Sequence, residues 1–252
     1  MRRTKIVCTI GPATNSEERL EQLMRAGMNV ARLNFSHGTH DEHAAVIERI
    51  RRISEHLGCP IAILQDLQGP KIRTGSLQDG QAVMLNDGAE VTITTLPVIG
   101  NAQIVATTYK PLPQDVKVGD RILLDDGLLE LSVIGFDDTD VRCQVVHGGL
   151  LKEHKGINLP GVAVSAPALM EKDRDDLKFG VMHEVDYVAL SFVRKPEDVL
   201  EAKDMMRQFQ AERDERVGQK AEMNIPLIAK LEKPEAIARL DEILNVVVII
   251  GR

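Results

Sequence analysis

Residues 30–36 read VARLNFS, and this stretch decides the fold of the chain. Successive side chains of a β-strand point to opposite faces of the sheet, so Arg32, Asn34 and Ser36 share one face, and the leucine and phenylalanine between them share the other. An arginine inside an apolar run needs a charged partner or a wet cavity. The strand therefore presents polar side chains to a functional surface and apolar side chains to a core.

The stretch belongs to a long alternation of strand-like and helix-like segments. Short apolar runs predict six strands, at residues 4–10, 29–36, 61–66, 186–193, 225–232 and 246–250. Amphipathic segments with polar caps and Gly or Pro boundaries predict five helices, at residues 15–27, 41–57 and 171–185 and onward from Pro196 and Pro234. Alternating βα units predict a parallel sheet, either doubly wound or closed as a barrel.

Residues 75–160 differ from the rest of the chain. Short runs of Val, Ile, Leu and Thr are broken there by repeated Asp-Gly and Gly-Asp pairs, which are turn signals. This spacing predicts a small all-β domain over residues 75–160. The α/β domain is then discontinuous and comprises residues 1–74 and 161–252.

Polar residues gather at the carboxyl ends of several predicted strands. Asp66 ends the third strand, and Lys230 and Glu232 share one face at the end of the fifth. A (β/α)8 barrel builds its active site from such strand ends, whereas a doubly wound fold concentrates its site in one or two loops. The sequence contains neither GxGxxG nor GxxxxGKS/T. We therefore expect an α/β protein with an incomplete (β/α)8, TIM-type barrel of about six strands.

The composition narrows the class of protein. The chain has 252 residues, a formal charge of −7, two tyrosines and no tryptophan, so it offers neither a basic stripe nor aromatic rings for stacking bases. Cys8, Cys59 and Cys143 lie far apart without CxxC spacing, which argues against disulfides and a zinc ribbon. No apolar run approaches the roughly 20 residues of a membrane helix. We expect a globular, cytoplasmic protein that binds neither nucleic acid nor membrane.

Two cations and two carboxylates carry the predicted chemistry. Arg32 and Lys230 would neutralise a phosphoryl group during its transfer, and carboxylates such as Asp66 and Glu232 are ligands that Mg²⁺ accepts. Lys230 and Glu232 alone fit a solvated ion pair before the next helix equally well. A lysine at a strand end also fits a Schiff-base aldolase, although the adjacent carboxylate favours the protonated amine.

Two further clusters of titratable residues have plainer explanations. A solvated loop and helix face explains three histidines better than a zinc site does: His37, His40 and His43. The first turn of a helix explains three aspartates: Asp173, Asp175 and Asp176. Neither pattern by itself indicates a metal site.

Eight blocks of sequence stand in a recognisable order: TKIVCTIGPAT, GMNVARLNFSHGTHDEH, DLQGPKIRTG, LLDDGLLEL, KGINLPG, EKDRDDLKFG, DYVALSFVRKPEDV and IAKLEKPEAIARLDEIL. Together they resemble pyruvate kinase, across the chain to about Leu244. The resemblance implies a barrel whose third unit carries a β-rich lid, here residues 75–160. It also implies the glycolytic transfer of a phosphoryl group from phosphoenolpyruvate to ADP, giving pyruvate and ATP, with Mg²⁺ or Mn²⁺.

The resemblance assigns roles to individual residues. Arg32 matches the arginine that binds the transferring phosphate, Lys230 matches the lysine that stabilises the phosphoryl group in transit, and Glu232 matches a Mg²⁺ ligand. The nucleotide contacts are matched by Asn34, His37, Arg73 and Lys155. Closure of the lid would exclude water from the transfer.

A site for a monovalent cation is implied as well. Its ligands are matched by Asn34, Ser36, Asp66 and the backbone oxygen of Leu67. Potassium-dependent members of the family have a glutamate where this chain has Lys71, and members with lysine there work without potassium. An ammonium group near the aspartate would supply the positive charge that K⁺ otherwise provides. We therefore expect that K⁺ is not required.

The sequence departs from the family pattern after Leu244. The family continues with a segment of the type ADGIMVARGDLG, which holds a second Mg²⁺ carboxylate, whereas this chain reads NVVVIIGR. We expect from this a truncated chain with impaired activity and homo-oligomer contacts through open barrel edges. The alternatives are a non-catalytic relative that pairs with another chain and a different Mg²⁺-enolate barrel enzyme, and the lid insert argues against the latter.

Overall fold

A computed structural model describes residues 3–162, 164–165, 167, 169–218 and 224–247. The chain divides into two compact units, one of residues 1–70 and 167–252 and one of residues 71–166. The strands of the described residues are β1 Val7–Ile10, β2 Val30–Asn34, β3 Ala62–Asp66, β4 Val83–Leu85, β5 Glu90–Thr94, β6 Ile104–Ala106, β7 Arg121–Leu124, β8 Leu129–Phe136, β9 Asp140–His147, β10 Gly149–Leu151, β11 Ile157–Asn158, β12 Tyr187–Leu190 and β13 Leu227–Ala229. The helices are α1 Glu17–Ala26, α2 His40–Leu57, α3 Leu112–Asp115, α4 Glu171–Met182, α5 Pro196–Val217, α6 Pro234–Ala238 and α7 Leu240–Val246.

The first unit is an α/β unit built on a curled, half-barrel sheet. Its five described strands follow the order β1-β2-β3-β12-β13, and every neighbouring pair is parallel. Helices α1, α2 and α5 each connect two of these strands along the chain, as parallel neighbours require. The α/β class predicted from the alternating segments is confirmed.

One face of this sheet is buried beneath the helices. Leu33 of β2 and Ile63 of β3 are almost fully buried, in one core with Leu20 of α1 and Ile50 of α2. Arg32 lies between buried neighbours and is only half-buried. The two-residue alternation predicted for this strand is therefore confirmed, and its polar positions occupy the face away from the core.

The first two helices begin and end at capping residues. The Ser16 side chain accepts a backbone N–H at the start of α1, and Thr39 and Glu42 form a reciprocal capping box at the start of α2. Gly27 and Gly58 end these helices, as the sequence predicted, and both adopt the left-handed conformation. Over the described part of the chain, we find no helix with both the length and the apolar character needed to cross a membrane.

Three strands end earlier than the sequence predicted. β2 ends at Asn34, whose Oδ1 accepts the N–H of Ser36 at 3.1 Å and turns the chain. The prediction that Ser36 extends the polar face of the strand is therefore wrong. β12 ends before Phe192, which has a left-handed φ of 57°. β13 ends at Ala229, so Lys230 follows the strand.

The sixth predicted strand, residues 246–250, is replaced in part by a helix end. Val246 is the last residue of α7, and Val247 follows it outside any strand. Both pack against the core that contains Ile243 of α7. Tertiary packing has outweighed the β-propensity of these branched residues. Residues 248–250 lie outside the described residues.

The regular secondary structure of the second unit is mainly β-strand. Six of them form a sheet in the order β11-β7-β8-β9-β5-β6, and β10 pairs with β4. β5 and β6 are parallel, and the other described pairs are antiparallel. The unit has its own apolar core, which includes Val91, Leu131 and Val141. Among the described residues of this unit, α-helix is confined to the four residues of α3.

Candidate functional site

A buried carboxylate joins two cations at the carboxyl ends of the parallel strands. Asp66, whose side chain is 4 % exposed, accepts a hydrogen bond from Arg32 Nε at 2.7 Å and another from Lys230 Nζ at 3.1 Å. The two bonds go to different carboxylate oxygens. Arg32 and Lys230 keep 32 % and 29 % of their side chains exposed. Asp66 therefore orders both cations while each remains open to an anionic ligand.

The register of the strands explains why these residues meet. Asn34 of β2 stands opposite Asp66 of β3, and Ala189 of β12 stands on the other side of Asp66. The backbone N–H of Lys230 donates to Leu190 O at 3.0 Å, which extends the pairing of β12 and β13 by one residue. Parallel strands end at one edge of a sheet, so side chains distant in sequence come within hydrogen-bond reach there.

Two hydroxyl groups that the sequence analysis missed hold the cations. Thr9 Oγ1 accepts a hydrogen bond from Arg32 Nη1 at 2.8 Å. Ser191 Oγ accepts one from Lys230 Nζ at 2.8 Å and donates to Leu67 O at 2.6 Å. Thr9 is near the end of β1, and Ser191 directly follows β12. Their positions at strand ends are a signal, but hydroxyl residues are common at strand ends, so the position alone does not single them out.

Glu232 lies beside this network. Its Oε2 accepts the N–H of Phe192 at 3.0 Å, and its Oε1 lies 3.4 Å from Lys230 Nζ. The side chain is 38 % exposed, which suits a Mg²⁺ or Mn²⁺ ion that takes one or two protein carboxylates and completes its shell with water and ligand oxygens. Among the residues that the structure describes, no group of three His, Cys, Asp or Glu side chains could hold a metal ion. Most ligands of such an ion would therefore come from solvent or substrate.

The residues expected to hold a monovalent cation come to adjacent strand ends. Asn34 and Asp66 are register partners, and the N–H of Leu67 donates to Ala189 O at 3.0 Å. Ser36 lies in the turn after β2 and donates its N–H to Asn34 Oδ1. Asp66 Oδ1 and Oδ2 each bind a cationic side chain, so its charge is already balanced by protein groups.

The histidines near this edge form an aromatic cluster. His43 stacks on Phe35 with ring centroids 4.1 Å apart, and His40 stacks on Phe179 at 4.6 Å. Burial lowers the pKa of His43 below its ordinary value, although its Nε2 donates to His37 O at 2.9 Å. His37 and His40 are exposed, as the solvated-face prediction requires, whereas His43 is half-buried.

Asp176 of α4 is the centre of a second buried network. Its side chain is 2 % exposed and accepts a hydrogen bond from Lys172 Nζ at 2.6 Å, and its other oxygen lies 2.8 Å from His40 Nε2. Lys172 Nζ also donates to Phe35 O at 2.7 Å. This aspartate thus anchors the loop after β2. It lies beyond the first turn of α4, so the prediction of a first-turn acid is wrong for Asp176.

Asp173 of α4 holds a second loop. Its carboxylate accepts the N–H groups of Gly69 at 2.9 Å and Met170 at 3.0 Å, and burial raises its pKa above the ordinary value of 3.8. Gly69 has a φ of 68°, and a Cβ there would lie 2.9 Å from side-chain atoms of both Ser191 and Phe192. Only glycine allows the loop after β3 to approach the end of β12 this closely.

Two predicted nucleotide contacts lie side by side in the second unit. Arg73 forms an isolated β-bridge with the residue after Lys155, and the N–H of Thr74 donates to Lys155 O at 2.8 Å. Lys155 Nζ forms an ion pair with Asp125 Oδ1 at 2.8 Å, and both predicted cations are half-buried. Lys71 is the first residue of this unit.

Comparison with known proteins places these features in one family. A sequence model described as "Pyruvate kinase, barrel domain" matches residues 1–251. Pyruvate kinases of Staphylococcus haemolyticus and Staphylococcus aureus (strain MRSA252) are 49 % and 48 % identical over 248 residues, which is 98 % of this chain and 40 % of each relative. A crystal structure of a pyruvate kinase from Cryptosporidium parvum superposes with a TM-score of 0.86 at 35 % identity, over 98 % of this chain and 49 % of that chain. The chain thus spans about two fifths of the length of these curated relatives. The chain belongs to the pyruvate kinase family.

Proposed function

We propose that this chain carries the phosphoryl-binding part of a site that transfers a phosphoryl group from phosphoenolpyruvate to ADP, giving pyruvate and ATP. The observation that carries the proposal is the pair of half-exposed cations, Arg32 and Lys230, which the buried Asp66 holds at one edge of the sheet. Phosphoryl transfer depends chiefly on positioning and on stabilising negative charge. A preorganised pair of cations supplies both.

The two cations take different parts in the proposal. The planar guanidinium of Arg32 suits two oxygens of the phosphate at once, and its Nε and Nη1 atoms are anchored on Asp66 and Thr9. The ammonium of Lys230 is a compact point charge and suits the phosphoryl group in transit. Because protein groups already orient both side chains, little rotational freedom remains to be lost when the anion arrives.

Glu232 would hold Mg²⁺ or Mn²⁺ in this proposal. When bound, the ion would supply further positive charge to the phosphoryl and carboxylate oxygens of the substrate. The chain prepares for it by fixing Glu232 Oε2 on the Phe192 N–H, which limits the rotation of the carboxylate. Lys230, 3.4 Å from the other carboxylate oxygen, lies close enough to bind an anion that also contacts the metal.

We further propose that K⁺ is not needed. The positions expected to bind it are Asn34, Ser36, Asp66 and the backbone oxygen of Leu67. The two Asp66 oxygens are bound by cationic side chains, and Leu67 O accepts the Ser191 hydroxyl. The positive charge that K⁺ would bring is therefore partly supplied by these cationic side chains. In this proposal the lysine at position 71 supplies a further positive charge.

The nucleotide and the lid belong to the same proposal. Residues 75–160 would act as a lid on a barrel domain of residues 1–74 and 161–252. Arg73 and Lys155, which lie on neighbouring segments joined by a β-bridge, would contact the nucleotide phosphates, with Asn34 and His37 as further contacts. Cations held on a folded scaffold bind a polyphosphate with a smaller loss of side-chain freedom than cations on flexible segments.

Ligand binding and turnover test the proposal together. Phosphoenolpyruvate with Mg²⁺ should stabilise the first unit by about 2.7 kcal/mol at 100 times its dissociation constant, measured by chemical denaturation. Pyruvate formation from phosphoenolpyruvate and ADP should fall by about 100-fold or more in Lys230→Met, because the variant loses a preorganised charge. Lys178→Met is the matched control, since that lysine pairs with Glu212 on an exposed surface.

Two results would contradict the proposal. One is ligand stabilisation that is unchanged in Lys230→Met. The other is covalent trapping of pyruvate on Lys230 by borohydride, which would instead indicate a Schiff-base aldolase.

Assembly and location complete the proposal. In the described part of the sheet, β1 and β13 are the edge strands, and pairing of copies along these edges is the homo-oligomer contact that we propose. A mass by sedimentation that is independent of concentration and equal to one chain would contradict it. A glycolytic role would place the protein in the cytoplasm.

A further inference from the structure

We propose that Ser191 is a positioning residue that fixes the Lys230 ammonium group. Ser191 is 2 % exposed and directly follows β12, and its hydroxyl lies between Lys230 and the backbone of the loop after β3. The inference rests on the proposed function only for the reaction that Lys230 would serve. The hydrogen bond between Ser191 and Lys230 is itself a feature of the structure.

The donor and acceptor roles of the hydroxyl are fixed by its two partners. A carbonyl oxygen only accepts, so the single hydrogen of Ser191 Oγ goes to Leu67 O, 2.6 Å away. The lone pairs of the hydroxyl then face Lys230 Nζ, 2.8 Å away, and an ammonium group only donates. The chain of bonds from Lys230 through Ser191 to Leu67 therefore has one direction, and bonds aligned in this way strengthen one another.

The acceptor at the end of this chain is itself held by hydrogen bonds to the end of β12. The N–H of Leu67 donates to Ala189 O at 3.0 Å, and its carbonyl accepts the Ser191 hydroxyl. The end of β12 thus binds both polar atoms of one peptide segment after β3. A hydroxyl that is buried and held on such a backbone has little freedom to rotate away from the lysine.

Three acceptors surround the Lys230 ammonium, which has three hydrogens to donate. Asp66 Oδ1 lies at 3.1 Å and Glu232 Oε1 at 3.4 Å, whereas the Ser191 contact at 2.8 Å is the shortest of the three. The two carboxylates contribute charge, and the hydroxyl, which is as buried as Asp66 and far more buried than Glu232, contributes direction through the shortest of the three contacts. Ser191 therefore sets where the ammonium points.

The next residue holds the second functional side chain after β13. Phe192 has a left-handed φ of 57°, and its N–H donates to Glu232 Oε2 at 3.0 Å. A non-glycine residue persists in this conformation where its surroundings hold it. Ser191 and Phe192 together thus orient Lys230 and Glu232 from the end of the neighbouring strand.

The test measures the chemical accessibility of Lys230 in the full chain. The native protein and Ser191→Ala are treated with a small amine-acylating ester at one pH, and peptide mass spectrometry gives the acylation rate of each lysine. Loss of the shortest contact should raise the rate at Lys230 by about threefold or more relative to the exposed Lys178, because a freed amine samples more orientations. Ser191→Thr, which restores a hydroxyl, should lower the rate again.

Ser54→Ala is the matched control. Ser54 Oγ donates to Cys59 O at 2.6 Å, the same bond length and chemistry as in the Ser191–Leu67 contact, without a lysine attached. A rate at Lys230 that is unchanged in Ser191→Ala, or raised equally by Ser54→Ala, overturns the proposal. If Ser191→Ala does not fold by circular dichroism, Ser191→Cys takes its place and should give the same rise, since a thiol is a weak acceptor.

A separate arm tests the function on which the inference rests. Phosphoenolpyruvate with Mg²⁺ should protect Lys230 of the native chain from acylation and leave Lys178 unprotected. Absence of protection counts against the proposed function, while the comparison of Ser191→Ala with Ser54→Ala still decides whether Ser191 positions the lysine.

Discussion

Replacing Asp66 with asparagine should destabilise the first unit and leave the second unaffected. Asn keeps the shape of the side chain and one acceptor oxygen, but it removes the charge that holds Arg32 and Lys230 together. In the native chain Arg32 and Lys230 bind different oxygens of a carboxylate that is 4 % exposed. The substitution therefore deprives at least one cation of its acceptor and leaves two like charges near each other.

The size of the effect follows from burial. A hydrogen bond to a charged group is worth about 1.5–3 kcal/mol, whereas an exposed ion pair is worth about 0–1 kcal/mol. The carboxylate is buried but both cations are about a third exposed, so an intermediate loss of about 2 kcal/mol is expected. For a unit of this size that loss lowers the midpoint of thermal unfolding by roughly 4–8 °C.

Urea denaturation followed by circular dichroism measures this loss. Glu212→Gln is the control, because it breaks a pair with Lys178 in which both side chains are about half exposed. Sulfate should recover part of the stability of Asp66→Asn, since an anion can replace the missing charge between the two cations. An Asp66→Asn variant that is no less stable than Glu212→Gln in the absence of sulfate would refute the reasoning.

Three further outcomes are expected. Gly69→Ala should cost about 1–3 kcal/mol more unfolding free energy than Gly58→Ala, because both glycines have positive φ but only at Gly69 would the new Cβ meet other atoms; equal losses in denaturation would contradict this. Asp173→Asn should be less stable than the native chain by an amount that shrinks as pH rises from 3.8, measured by urea denaturation between pH 4 and 7. Burial raises the pKa of the Asp173 carboxyl in the folded state. The stabilising contribution of this carboxyl is therefore full at a pH below its pKa in the unfolded chain and is lost as the pH rises through its pKa in the folded chain. A stability difference that grows with pH would contradict this prediction. Pyruvate formation should be the same in K⁺ and Na⁺ buffers and should become K⁺-dependent in Lys71→Glu; strong K⁺ stimulation of the native chain would count against the charge argument.

The sequence predicted the elements of the first unit better than their ends. Alternating apolar runs located its five described strands, and period two located the faces of β2. The ends of strands depended on local contacts that a pattern does not contain. The Asn34 side chain accepts the Ser36 N–H and so ends β2, and Phe192 adopts a left-handed φ after β12. Residues 246 and 247 follow the packing of α7 instead of their β-propensity.

The charged residues of the candidate site were predictable, and their supports were not. Arg32, Asp66 and Lys230 stood out because ionised groups are rare at the ends of apolar runs. Ser191 did not stand out, since a serine is ordinary in any strand or loop. Its importance arises from partners that are distant in sequence, Leu67 and Lys230, and such pairs exist only once the strands are placed beside one another.

Strand order gives the reason for a small hydroxyl residue at position 191. Asp66 ends the central strand of the described sheet, and β12 lies between it and β13, which precedes Lys230. Lys230 must therefore reach across the end of β12 to contact Asp66, and Ser191 stands at that end. A side chain longer than serine or threonine there would occupy the path of the lysine, and an alanine would leave the path open without a partner for the ammonium. Serine satisfies both requirements, so the fold that brings Asp66 and Lys230 together also determines which residue can stand between them.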